Sequence, residues 1–560
     1  MDRLCARPRA SPARWPEQAA TRLPRAHRRH AKVSRATRIE VRGLVLLRRQ
    51  HLLLLAVLVP SLLAGCTAGP SQRPAVIEND QQSPTATSAS PRPVPLPPLA
   101  EPQSPSIAWS DCDRQIRARL EPPAVPPSLR FTCAEAASVL DAPDLPGRVR
   151  TRIALTKVGD GPVPLIVLND VEGESGGLFA AHLAASLPAP LLQRFSLIGV
   201  DRRGTGDSDP VSCVPSDIRG QLLNHDPAAP DVDGLLDAAR KAGQQCAIEL
   251  GSGQQALDSG RTAGDLEEIR DQLGVPQLNV IARGEASGVV IAYANRFPTQ
   301  VGRVVLDGLR DPSGDPATVL GDLVTAQQAT LDAFGADCAA RGCALNQDAT
   351  AAVTALLQQL RSAPAMLPGG ANFGPGAALN AIIAGLAQRA RWPELADAIH
   401  AAQGGDPARL AAFLGALLNG SQVAPSRFDG AMATECNDTA TRMPADQITT
   451  LTGRLRQRSP LFGGLATQRL VWCLPWPGRT GALPSLGVPG LPPVLVTSTA
   501  TDPVTPEPGT IRAAQQMSSA VRVGWQGTGH GALASPCVGE AVRAFLADGK
   551  VPSDGTLCPA

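Results

Sequence analysis

The stretch Leu278-Asn279-Val280-Ile281-Ala282-Arg283-Gly284-Glu285-Ala286-Ser287-Gly288-Val289-Val290-Ile291-Ala292-Tyr293-Ala294 decides the fold. Leu278 to Ala282 is a short, mostly apolar run, the pattern of a strand buried on both faces. Residues 287–294 then read as a helix, so a sharp turn must lie between, at Gly284. Glycine suits a strained turn because it has no Cβ to clash. Ala282 and Ala286 are small enough to let strand and helix approach closely.

Similar runs occur at Val163 to Leu168, Phe195 to Val200, Val301 to Leu306 and Val494 to Thr497. Helix-like segments such as Ala263 to Leu273 lie between them. This alternation predicts an α/β fold with a doubly wound, mostly parallel sheet. It breaks off between about Asp311 and Pro475, where Ala/Leu-rich segments carry helical spacing, as in Ala351 to Leu360, Leu379 to Ala390 and Leu410 to Leu418. An inserted helical cap over 312–480 is expected, with core segments at 106–311 and 481–560.

The N-terminal region has another character. Residues 1–50 carry 14 Lys/Arg against 3 Asp/Glu, and the remainder 38 against 47, a net charge of −9. A folded part of that charge lacks the basic stripe that neutralises phosphates, which argues against a nucleic-acid partner. Arg48-Arg49, the apolar run Leu52 to Leu63 and then Leu63-Ala64-Gly65-Cys66 make a secretory signal over 41–65. The apolar run is short for a membrane span. Leu-Ala-Gly-Cys resembles the bacterial lipobox, which implies cleavage before Cys66, acylation of its thiol and anchoring on the outer face of the cell membrane. Residues 1–40 then form a basic extension, or precede a true start near Val41 or Val45. The Pro/Ser/Thr-rich run 66–105 reads as a flexible tether.

Ten cysteines follow Cys66. An even number outside the cytoplasm implies disulfides. Sequential pairing is the economical choice among the connectivities: Cys112–Cys133, Cys213–Cys246, Cys338–Cys343, Cys436–Cys473 and Cys537–Cys558. No CxxC spacing marks a zinc or redox site, and neither a metal nor another cofactor is expected.

Several segments together resemble the secreted tripeptidyl-aminopeptidase-like branch of the α/β-hydrolases. Asp201 with Arg203-Gly204-Thr205-Gly206-Asp207-Ser208 is similar to the family's turn after a core strand. Cys436-Asn437-Asp438 and Trp472-Cys473-Leu474-Pro475-Trp476-Pro477 resemble its late cap. Asp502-Pro503-Val504-Thr505-Pro506 and Gly529-His530 resemble its C-terminal module. The resemblance spans about 108–560 and implies an α/β-hydrolase fold and peptide or amide substrates. In that fold a serine, an acid and a histidine follow in chain order, with backbone N–H groups forming an oxyanion hole. The resemblance places the acid at Asp502 and the base at His530.

It places the nucleophile at Gly284, five residues after Asn279 and nine before Tyr293. Glycine cannot attack a carbonyl. The oxyanion region is altered too. The family carries a glycine-rich run there, and here the chain reads Asn169-Asp170-Val171-Glu172-Gly173-Glu174-Ser175. Three carboxylates, with Glu285 as a fourth, would oppose a developing oxyanion at Val171, Glu172, Gly173 and Glu285. The expectation is a membrane-anchored relative with lost or impaired catalysis that binds a peptide or envelope ligand. A second reading retains a hydrolase in which Ser287, or a serine from the cap, works with His530 and Asp502. A third is a structural envelope protein with a vestigial site.

Overall fold

The computed structural model describes residues 94–142, 145–312, 314–345, 348–418, 426–439, 442–478 and 483–560. The expected signal segment and Cys66 lie outside the described residues, as does most of the tether.

Ten strands make one sheet: β1 (Ser110–Asp111), β2 (Phe131–Ala142), β3 (Leu145–Val158), β4 (Val163–Leu168), β5 (Phe195–Val200), β6 (Leu278–Arg283), β7 (Val301–Asp307), β10 (Val494–Thr501), β11 (Ala520–Thr528) and β12 (Thr556–Cys558). A separate pair, β8 (Ala365–Met366) and β9 (Asn372–Phe373), lies in the cap. The order in the large sheet is β1-β2-β3-β5-β4-β6-β7-β10-β11-β12. From β5 to β12 every neighbouring pair is parallel, whereas β1, β2, β3 and β5 pair antiparallel.

The long β2–β3 hairpin was not visible as apolar runs. Its burial alternates along Phe131–Ala142, where Glu135, Ala137 and Val139 are exposed and Ala136 and Ser138 are buried. Such a ribbon needs no continuous apolar stretch. The inner strands do. Leu165 and Val167 pack on one face against Phe179, Val542 and Phe545, while Ile166 and Leu168 pack on the other against Leu266, Val289 and Tyr293. Period-two alternation with both faces covered explains the unbroken runs.

The strand order reverses at β4. The chain runs from β4 to β5 on one side and returns to β6 on the other. The crevice at the carboxyl ends of β4 and β6 is therefore the topological switch point, where α/β sheets bind ligands. The loop Asn169–Ser175 and the turn at Gly284 leave these two ends.

Between β7 and β10 lie the cap helices, from Pro316–Arg341 to Gln468–Cys473. They hold their own apolar cluster, including Val324, Phe334, Leu356, Ile382 and Trp392. Phe334 meets Trp392 edge-on, with ring centroids 5.6 Å apart. Asp315 caps the first cap helix by accepting from the N–H groups of Ala317 and Thr318 at 3.0 and 3.1 Å. Asp315→Ala is expected to cost about 1 kcal/mol of stability in urea unfolding.

All five disulfides are formed in the sequential order: Cys112–Cys133, Cys213–Cys246, Cys338–Cys343, Cys436–Cys473 and Cys537–Cys558. The tether boundary at 105 requires correction. Leu96 and Leu99 already pack against the core, and Arg303 Nε donates to the Pro97 carbonyl at 3.1 Å. Gln103 N–H donates to the Gly274 carbonyl at 2.9 Å. The chain joins the folded unit about ten residues earlier than its Pro-rich composition implies, because two half-buried leucine side chains and two hydrogen bonds made by its backbone hold the extended segment.

Candidate active site

The β6–helix turn is tight. Gly284 has φ +56°, in the left-handed region that disfavours side chains. Residues 287–296 form the helix that follows. At the end of β10, Asp502 is almost fully buried and heavily anchored. Its carboxylate accepts from Val504 N–H at 2.8 Å, Thr505 N–H at 2.9 Å, Thr505 Oγ at 3.0 Å and Gly531 N–H at 3.1 Å. His530, beyond β11, donates from Nδ1 to Asp502 Oδ2 at 3.0 Å.

The other ring nitrogen meets a residue from the β4 loop. His530 Nε2 lies 2.7 Å from Asp170 Oδ2. The second oxygen, Oδ1, accepts the Glu285 N–H at 2.6 Å. A Cβ placed on Gly284 would lie 2.3 Å from Asp170 Oδ1 and 2.7 Å from Oδ2. The Asp170 carboxylate thus fills the space in which a side chain at position 284 would stand. It also takes the amide that follows the turn, one of the two usual oxyanion donors.

Charge follows from this geometry. Burial works against an imidazolium at His530, but the carboxylates of Asp502 and Asp170 outweigh it and hold the pKa up to about 10. Burial likewise opposes the Asp170 anion, but His530⁺, the Glu285 N–H and Arg283 hold its pKa below the ordinary value. At neutral pH the three groups form a carboxylate–imidazolium–carboxylate clamp. Both ring nitrogens carry protons, so His530 has no lone pair with which to act as a base.

The remaining carboxylates are partnered rather than free. Glu285 accepts from Val171 N–H at 3.1 Å and pairs with Arg202. Glu172 pairs with Arg469, which also binds Glu435 at 2.7 Å. Glu174 meets His182 at 2.8 Å. Arg202 extends through Ser259 to Asp438, whose carboxylate accepts from Ser259 Oγ at 2.7 Å. Burial, reinforced by the Glu285 charge, pushes the Asp438 pKa up to about 7. The expectation that these loop carboxylates oppose an oxyanion by bare repulsion is therefore revised. Arginine and histidine compensate them, and the oxyanion amides of Glu285 and Val171 are each taken by a carboxylate. Gly173 closes the loop turn by donating its N–H to the Asp170 carbonyl at 2.9 Å.

Ser287 is fully buried, and its hydroxyl donates to the Gly284 carbonyl at 2.6 Å. It is a helix-start hydroxyl, while the histidine it would need is held by two carboxylates. Sequence reasoning named Asp170 only as one acid of the loop and missed its place at the centre. The available signal was its position two residues beyond the end of β4, at the switch point. Among the described residues, no group of three metal-binding side chains is present.

Asp170 and His530 line a cleft of about 1450 Å³ between sheet and cap. Its walls mix apolar side chains such as Leu320, Ile383 and Trp472 with Arg310, Glu435 and Arg469.

A sheet of this order, with a tight turn after β6, a buried acid after β10 and a histidine after β11, defines the α/β-hydrolase fold. Residues 459–558 match the family profile described as TAP-like protein. Serine protease Hip1 of Mycobacterium tuberculosis is 27% identical over 494 residues, covering 82% of this chain and 92% of that one. Carboxylesterase B of the same species is 27% identical over 482 residues, covering 81% and 90%. Tripeptidyl aminopeptidase of Streptomyces lividans is 25% identical over 405 residues, covering 69% and 75%. Over most of its length the chain is thus similar to tripeptidyl-aminopeptidase-like hydrolases, and its C-terminal part matches their family profile.

Proposed function

We propose that this chain is an exported lipoprotein, anchored on the outer face of the cell membrane through acylated Cys66. In this reading its cleft binds a peptide or envelope ligand without cleaving an amide bond. The observation that carries the reading is the Asp170 carboxylate lying where a side chain on Gly284 would stand and taking the Glu285 amide. Serine acyl transfer needs a hydroxyl, a neutral histidine and open oxyanion donors. Here each is absent or occupied. The cleft's size and mixed lining suit a peptide-sized ligand. The lipobox and the Pro-rich run that follows it support the anchored placement.

The test is activity-based labelling of the purified full chain with a fluorophosphonate, beside hydrolysis of a tripeptidyl anilide with a free N-terminus. Neither is expected to give signal above a heat-denatured control. Stoichiometric labelling that disappears in Ser287→Ala would overturn the reading and install Ser287 as the nucleophile. The anchor is tested separately by globomycin-sensitive processing and loss of membrane association in Cys66→Ala.

A further inference from the structure

We propose that Asp170 is a nucleophile in its own right and that this chain hydrates epoxides to vicinal diols through an ester on the Asp170 carboxylate. This goes beyond the loss of amide cleavage proposed above and does not depend on the membrane anchor.

Four observations carry it. The carboxylate sits over the β6 turn, in the space that a side chain on Gly284 would fill. One oxygen is already seated on the Glu285 N–H at 2.6 Å, the donor that stabilises charge on an acyl oxygen. The other lies 2.7 Å from His530 Nε2, with Asp502 behind the ring at 3.0 Å. The side chain is 13% exposed and lines the large cleft, so a substrate reaches it. Each carboxylate oxygen keeps a second lone pair after these hydrogen bonds.

The chemistry selects the substrate class. A carboxylate attacking an amide would form an acid anhydride, less stable than the amide it replaces. A carboxylate attacking a strained sp³ carbon forms an ordinary ester. The protonated His530 then distinguishes epoxides from halides. A departing halide needs no proton, whereas a ring-opened alkoxide does, and the Nε2 proton lies beside the attacking oxygen. Phe179, Ile291, Leu309 and Trp525 give the cleft apolar wall for a hydrocarbon substituent.

The steps balance. Asp170 Oδ2 attacks one ring carbon and the ring C–O bond breaks. Its electron pair passes to the ring oxygen, which takes the His530 Nε2 proton. The products are a hydroxyalkyl ester of Asp170 and a neutral His530, still oriented by Asp502. Water gives a proton to Nε2 and its hydroxide adds to the ester carbonyl carbon, with Oδ1 held by the Glu285 N–H. The acyl–oxygen bond breaks, and the departing alkoxide takes the proton of the new hydroxyl. A diol leaves, and the carboxylate and imidazolium are restored. The diol carries off the former Oδ2, and Asp170 keeps the oxygen of water.

That exchange provides a test needing no variant. The full chain, in excess over styrene oxide, is given a single turnover in ¹⁸O-water. The expected result is unlabelled phenylethanediol and one ¹⁸O in the peptide containing Asp170. Asp170→Asn is expected to fall to the buffer rate. His530→Gln is expected to slow diol formation by about 100-fold or more, with near-UV circular dichroism confirming the fold of each. No diol above buffer, or ¹⁸O entering the diol directly with Asp170 unlabelled, would overturn the proposal. Fluorophosphonate labelling bears only on amide cleavage, so the two readings fail separately.

Discussion

Gly284→Ser alone is expected to stay unlabelled by a fluorophosphonate, while the double variant Gly284→Ser/Asp170→Gly becomes labelled. Restoring the missing residue type is not enough, because its space is taken. The first side-chain carbon would lie 2.3 Å from Asp170 Oδ1, inside any tolerable contact. A side chain at φ +56° adds backbone strain of about 1–3 kcal/mol, and forcing Asp170 aside adds about 1–3 kcal/mol of overpacking. The single variant should therefore melt earlier than wild type and still lack both a basic histidine and a free Glu285 N–H. Removing the Asp170 side chain cures all three faults together. It opens the space, frees the amide and deletes one of the two carboxylates that keep His530 protonated. Labelling should still lag behind an intact serine hydrolase by about 10²–10³, since Glu285 continues to occupy the Val171 N–H. Equal labelling of single and double variants would show that Asp170 is not the obstacle.

The parts of this site that were legible in the sequence were local. Two spacings, from Asn279 and from Tyr293, converge on Gly284, and the continuous runs of β4 to β7 and β10 announce strands covered on both faces. What escaped was relational. Asp170 and His530 are 360 residues apart in the chain, and in Asn169-Asp170-Val171-Glu172 only the nearness of Asp170 to the end of β4 hints at which acid turns inward. The same holds for the arginines: Arg202 and Arg469 neutralise Glu285 and Glu172 across the cleft, so counting carboxylates alone overstates the repulsion. The β2–β3 hairpin escaped because a half-exposed ribbon of Ala, Ser, Glu and Arg has no apolar run to detect. In β11, Gly524, Gly527 and Arg522 interrupt the pattern in the same way.

His530 is expected to remain an imidazolium well above neutral pH, with both ring N–H groups visible by ¹⁵N NMR at pH 8. Its pKa stands at about 10 against an ordinary 6.5, which links its charge to folding stability of the order of 5 kcal/mol. Because the folded pKa is raised, that stability is fully present below 6.5 and is lost as pH climbs through about 10. Asp170 runs the other way. Its folded pKa is depressed below the ordinary 3.8, so its contribution is present above that value and is lost as pH falls. The clamp should therefore hold across the neutral range and release at both extremes. Asp170→Asn removes one carboxylate but leaves a carbonyl oxygen able to accept from Nε2. Its His530 should titrate at a markedly lower pH, and the alkaline loss of stability should begin correspondingly earlier in urea melts run from pH 6 to 11. Asp502→Asn should do the same and in addition strip the N–H groups of Val504, Thr505 and Gly531 of their charged acceptor, making it the more destabilising of the two. If the Asp170→Asn histidine titrates as the wild type does, the carboxylate does not hold the ring. Imidazolium would then not explain the silence of the acyl-transfer chemistry.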